Sequence, residues 1–145
     1  MIQNNMQKQQ GFTLIEIIVV IVIIGILASF VAPKFLGRAD EARVAKAKSD
    51  ILSLESALDL YKLDNYTYPT TDQGLEALVV KPSSDPVPNG WRQGGYLKKL
   101  RKDPWQRDYL YLSPGEHSEV DIYSLGADGA EGGDGFAADI GNWDN

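Results

Sequence analysis

The 145-residue chain contains no cysteine, one histidine and a single long hydrophobic run. The first absence removes disulfides, cysteine-ligated zinc and any thiol nucleophile, so an extracytoplasmic fold must be steadied by something else. The one histidine, His117, stands in the polar turn "PGEHSEV" with no nucleophile beside it and reads as a surface residue. Ser113, Ser118 and Ser124 lack a G-x-S-x-G setting, and no glycine loop opens a helix to cradle phosphate. With no catalytic constellation legible, the expectation is a protein that is not an enzyme. Positive charge is also scarce where it would matter for nucleic acid: residues 108–145 hold nine Asp and Glu and no Lys or Arg, within a net charge of -6. Phosphate backbones need a cationic face, so this stretch points to a cation as its partner instead. The length allows one compact domain plus an accessory element.

The hydrophobic run, "GFTLIEIIVVIVIIGILASFVAP", fills residues 11–33. Residues 13–32 would make a helix of about 30 Å, the thickness of a bilayer's hydrocarbon core. The exit from the run, Ala28, Ser29, Phe30, Val31, Ala32 and Pro33, is a poor signal-peptidase site, so the segment is expected to be retained. Flanking charge gives no orientation: Lys8 and the α-amino group face Lys34 and Arg38, which Asp40 and Glu41 offset. Glu16 is the exception inside the run. An ionisable group costs about 2.5 to 3.5 kcal/mol at a bilayer centre and is usually paired there. It either reaches the headgroups from one turn inside the helix or has a partner.

Gly11, Phe12, Thr13, Leu14, Ile15 and Glu16, after a short polar leader ending "KQQ", resemble the class III signal of type IV pilins and pseudopilins. The resemblance implies that a prepilin peptidase cuts between Gly11 and Phe12 and N-methylates Phe12. A glycine suits a narrow protease site because it has no side chain. It also gives Glu16 a partner: the carboxylate of one subunit would pair with the Phe12 amine of its neighbour inside an apolar helical bundle and so set register. A broken pair is costly in such surroundings.

Beyond the run, Pro33 and Gly37 can bend or locally melt a helix. Val44, Ala47, Ile51, Leu54, Leu58 and Tyr61 then recur every three or four residues, one apolar stripe on an amphipathic helix. Arg43, Lys46, Lys48, Asp50, Glu55, Asp59 and Lys62 make its solvated face. A short helix is expected from Thr71 or Asp72 in "DQGLEALVVKP", then an irregular Pro- and Gly-rich connection. Strands are expected at residues 109–112 and 120–125, giving an α+β head with a small antiparallel sheet against the long helix. The boundaries follow: leader 1–11, transmembrane and filament-core helix 12–33, head 34–145. A long helix, half in lipid and half on a small head, fits the lollipop shape of pilins.

Three further stretches, "YKLDNYTYPTTDQGLEALVVKP", "GYLKKL" leading to "KDPWQRDYLYLSPG", and "VDIYSLGADGAEGGDGFAADIGNWDN", look like the major pseudopilins of type II secretion, general secretion pathway protein G. Gln106 departs from that pattern, which has glycine after "DPW". Residues 125–139 combine five glycines with four acidic residues, and such a loop should be poorly ordered without a counterion. The spacing is not that of an EF-hand, so a solvated acidic loop stays open on pattern alone. The resemblance implies calcium, held by Asp128 and Asp139, the Leu125 carbonyl and Asp134, with Glu131 facing solvent.

It further implies a structural subunit, stored as a single-pass protein in the bacterial inner membrane with its head in the periplasm. Copies would assemble with minor pseudopilins into a helical pseudopilus that drives folded proteins through an outer-membrane secretin. An inner-membrane platform and its ATPase would supply the energy. Between heads, the acidic pair Glu55 and Asp59 has a suitable charge to meet Lys98 or Lys99 of a neighbour. The rival readings are a type IV pilus major subunit, disfavoured by the missing cysteines, and a monomeric membrane-anchored calcium-binding module.

Overall fold

Helix α1 spans Leu14–Asn65 and is followed by 3-10 turns and a three-stranded sheet. The computed structural model describes residues 11–144, apart from the side chains of residues 32–36. The expected leader therefore lies outside the described residues except for Gly11. The chain divides into two compact units, Met1–Arg38 and Ala39–Asn145. The backbone of α1 stays helical through Pro33 and Gly37.

In the second unit the expected stripe is the core. Ala47, Ile51 and Leu58 are wholly buried, with Leu54 and Tyr61 nearly so, and Val44 packs at the edge. They share one cluster with Leu75, Leu78, Tyr109, Tyr111, Val120, Ile122 and Ile140. Each such aliphatic side chain contributes about 1.5 to 3 kcal/mol on burial, so α1 is fixed by its spacing rather than by local propensity. Tyr61 meets Tyr96 in a tilted pair at a centroid distance of 5.3 Å, Tyr96 meets Trp91 edge to face at 6.2 Å, and the Trp91 Nε1–H donates to the Ala77 carbonyl at 2.8 Å.

Strands β1 (Leu110–Leu112), β2 (Asp121–Ser124) and β3 (Ile140–Gly141) pair antiparallel in that order. Tyr111 lies opposite Ile122, and Ser124 opposite Ile140. The two expected strands are present, each slightly shorter. β3 has too few residues to show a period-2 pattern in the sequence. The Tyr111 hydroxyl donates to the Pro69 carbonyl at 2.9 Å, and burial pushes its pKa up to about 12.

The helix expected from Thr71 or Asp72 is a single 3-10 turn, Leu75–Leu78. Gly74 enters it at φ 61°, a left-handed conformation that no α-helix can continue through. Ahead of it, Gln73 is pinned from two sides. Its N–H donates to Thr70 Oγ1 at 3.2 Å, and its Nε2 donates to the Ser84 and Pro86 carbonyls at 2.9 and 3.2 Å.

Candidate functional site

At the N-terminal site, the Thr13 N–H donates to Glu16 Oε2 at 3.4 Å and the Glu16 N–H returns a bond to Thr13 Oγ1 at 3.3 Å. This reciprocal pair is a capping box, satisfying two of the donors a helix start leaves open. Its sequence mark, Thr-x-x-Glu before an apolar run, stands in "TLIE", so the role of Thr13 was readable but missed above. Glu16 is exposed, and Phe12 is 80% exposed. Nothing lies within 4 Å of where a Cβ on Gly11 would sit, so this glycine answers no packing need of the fold. In the unprocessed chain, then, Glu16 caps its own helix. A cut after Gly11 would place a charged amine one residue before that cap. The helix Leu14–Val31 is long and apolar enough to cross a membrane, and none of it is buried by the rest of the chain.

The second site is the acidic loop. Its path is set by backbone bonds: Gly129 N–H to the Leu125 carbonyl at 3.2 Å, Ala127 N–H to Phe136 at 2.9 Å, and Asp139 N–H to Gly132 at 3.1 Å. Gly126, Gly129, Gly132, Gly133 and Gly135 all take positive φ, which accounts for the glycine density. Of the three expected aspartate ligands, Asp139 is the most enclosed. Its Oδ2 accepts the Gly132 N–H at 2.9 Å, while Oδ1 is buried with no partner. A buried carboxylate oxygen without a donor is costly, and a cation would satisfy it. Asp128 and Asp134 are exposed, and Asp128 Oδ1 accepts the Ala130 N–H at 3.1 Å. Leu125 is half-buried, and its carbonyl can accept a second bond. Glu131 faces solvent. Among the described residues no three acidic or histidine side chains converge, so carbonyls and water would have to complete any cation's shell around Asp139.

Two buried aspartates hold the surroundings. Asp103 Oδ1 accepts the Trp105 and Arg107 N–H groups at 2.9 and 2.8 Å, and Oδ2 accepts the Ser124 hydroxyl at 2.6 Å, tying the "DPW" turn to β2. In that turn Gln106 sits at φ 68°, so the departure from glycine falls where glycine would be unstrained. Asp121 accepts the Glu116, His117 and Ser118 N–H groups at 2.7, 3.0 and 3.0 Å. Burial pushes its pKa up, but the His117 and Glu116 N–H groups, the His117 ring and the Ser118 N–H outweigh that, leaving the carboxyl below its ordinary range. His117 is exposed as expected, yet its ring stacks on Trp143 at 4.1 Å, closing this turn against the C-terminus.

The acidic pair on α1 already has partners within the head. Glu55 accepts Asn142 Nδ2 at 3.3 Å, and Asp59 accepts the Tyr68 hydroxyl at 2.8 Å. Lys98, Lys99 and Arg101 line a cavity with Leu54, Leu97 and Tyr109.

Both sites fall within patterns shared with known proteins. The family described as type II secretion system protein G matches residues 34–143, and the prokaryotic N-terminal methylation motif matches residues 6–32. The type II secretion system core protein G of Vibrio cholerae is 62% identical over 97% of this chain and 95% of its own length. That of Pseudomonas aeruginosa is 59% identical over 96% and 98%. A crystal structure of the major pseudopilin from the type 2 secretion system of enterohaemorrhagic Escherichia coli has a TM-score of 0.69 at 49% identity, covering 76% of this chain and 94% of that one. The methylation motif therefore covers the capped start of α1, the second pattern covers the head with its acidic loop, and the chain belongs to the type II secretion system protein G family.

Proposed function

We propose that this chain is the repeating structural subunit of a type II secretion pseudopilus, stored in the inner membrane with its head in the periplasm. The observation that carries the reading is a run, Leu14–Val31, wholly exposed on the folded chain, whose first turn carries one carboxylate that caps the helix. Such a run is stable only in lipid or among other apolar helices, and the two environments correspond to storage and filament. Cleavage after Gly11 frees the Phe12 amine, and the Glu16 carboxylate of a neighbouring subunit pairs with it. Prepilin peptidase performs the cut, minor pseudopilins share the filament, and a separate platform and ATPase drive it against the secretin. Mass spectrometry of the mature protein tests the first step: a methylated chain beginning at Phe12 is expected, and an intact Met1 overturns the reading.

Calcium is the cation proposed for the loop, with Asp139 Oδ1 and the Leu125 carbonyl as inner ligands and Asp128 and Asp134 closing from the surface. It would supply charge neutralisation and order, with no chemical step. Chelator should lower the melting temperature of the full chain in detergent, and Asp139→Ala should remove that sensitivity. A melting curve indifferent to chelator takes calcium out of the account. Between heads, Asp59 and Lys98 are proposed to attract. A charge swap at both that assembles no better than either single variant counts against the contact.

A further inference from the structure

Arg107 reaches the acidic loop from outside it. Its backbone is locked: the Asp103 N–H donates to the Arg107 carbonyl at 2.7 Å, the Arg107 N–H donates to Asp103 Oδ1 at 2.8 Å, and Asp103 is itself bonded to Ser124 in β2. From that fixed base the guanidinium Nη2 donates to the Gly126 carbonyl. A Cβ on Gly129 would lie 2.7 Å from Nη1 and 2.8 Å from Cζ, so the guanidinium packs directly against the backbone of the turn. Its Nε is buried with no acceptor, enclosed on the stem side. The guanidinium thus bonds one end of the turn between residues 125 and 129 and packs against the other, and the N–H of Gly129 closes the turn onto the Leu125 carbonyl.

We propose that Arg107 is a positioning residue for the cation loop: anchored to β2 through Asp103 and bonded to Gly126, it holds the Leu125 carbonyl and Asp128 in place before a cation arrives. The proposal rests on the reading that the loop takes calcium. Holding a ligand set in its bound geometry raises affinity by lowering the ordering cost that binding would otherwise carry. The opposing effect is repulsion between the guanidinium and the cation. We commit to preorganisation as the larger, because the guanidinium charge is already engaged with the Gly126 carbonyl and the carboxylates of the loop outnumber it.

The test uses the full chain in detergent, with Arg107→Gln and Arg107→Lys, read by amide hydrogen exchange with chelator or calcium chloride and by calorimetric titration of calcium. In chelator, Arg107→Gln should speed exchange at Ala127 and Gly129 by roughly tenfold or more while the β2 amides keep their protection. Its calcium dissociation constant should rise by about tenfold, with Arg107→Lys between the two. Unchanged loop exchange and affinity overturn the proposal. Faster exchange throughout the sheet also overturns it, since Arg107 would then only stabilise the head. Tighter calcium binding in Arg107→Gln overturns it in favour of repulsion. If calcium protects no loop amide in the wild type, the calcium reading and the proposed positioning role fail together, even where the chelator arm shows Arg107 holding the turn.

Discussion

Between Leu14 and Val31 every residue of α1 is exposed on the folded chain, whereas further along the same helix Ala47, Ile51, Leu54, Leu58 and Tyr61 are sealed from water. Both stretches are apolar, and they differ in pattern. The first is apolar on every side and needs an apolar medium around it. The second is apolar along one stripe, and that stripe is satisfied by a core the chain supplies itself. One helix therefore carries two kinds of hydrophobic demand, and only one is met within a single copy.

The largest effect is expected at Glu16. Glu16→Ala should leave membrane insertion and head stability unchanged yet abolish filaments by electron microscopy. Filaments at wild-type abundance would show that the carboxylate only caps its own helix. Next in size is the core stripe. Leu58→Ala should cost about 2 to 5 kcal/mol in chemical denaturation of the full chain in detergent. Ile21→Ala, in the exposed run, should leave the same transition within about 0.5 kcal/mol of wild type. Equal effects would erase the distinction between the stretches.

Within the head, Asp121→Asn should cost about 1 to 3 kcal/mol, because one buried carboxylate serves the Glu116, His117 and Ser118 N–H groups. The folded pKa of Asp121 is depressed, so its contribution is complete above the unfolded value of about 4 and is lost as pH falls through the folded value. Wild-type stability should therefore decline below about pH 4, and the variant should decline less steeply there. The smallest effect is a gain: Gln106→Gly should raise stability by about 0.5 to 1 kcal/mol, because it removes a left-handed strain that glycine does not carry. No gain would mean the turn is relaxed by contacts of the Gln106 side chain.

The regular elements were legible wherever a period ran long enough to be counted. The stripe of α1 and strands β1 and β2 are of this kind. The 3-10 turn at Leu75 was over-read as a helix because a positive φ at Gly74 leaves no mark in apolar spacing. β3 escaped notice because two residues display no alternation. At the N-terminal site, Gly11, Phe12 and Glu16 stood out by their order in the chain, and Thr13 was missed although its motif was present. In the acidic loop, composition left a solvated loop open, and the resemblance that implied Asp128, Asp139, the Leu125 carbonyl and Asp134 as ligands does not say which of them is enclosed. Asp139 is set apart only by the strand it precedes, which draws its carboxylate inward.

The sequence alone determined the division of labour along α1: a run with no polar face must leave water, and a stripe must find a core. Each of these follows from residue type and spacing along one dimension. Tertiary structure alone decided which polar groups are shut away from solvent. Asp103 ties the "DPW" turn to β2, and Arg107 reaches the Gly126 carbonyl across residues that sequence distance keeps apart. The cost or value of a buried charge depends on which atoms surround it, and those neighbours exist only after the chain has folded.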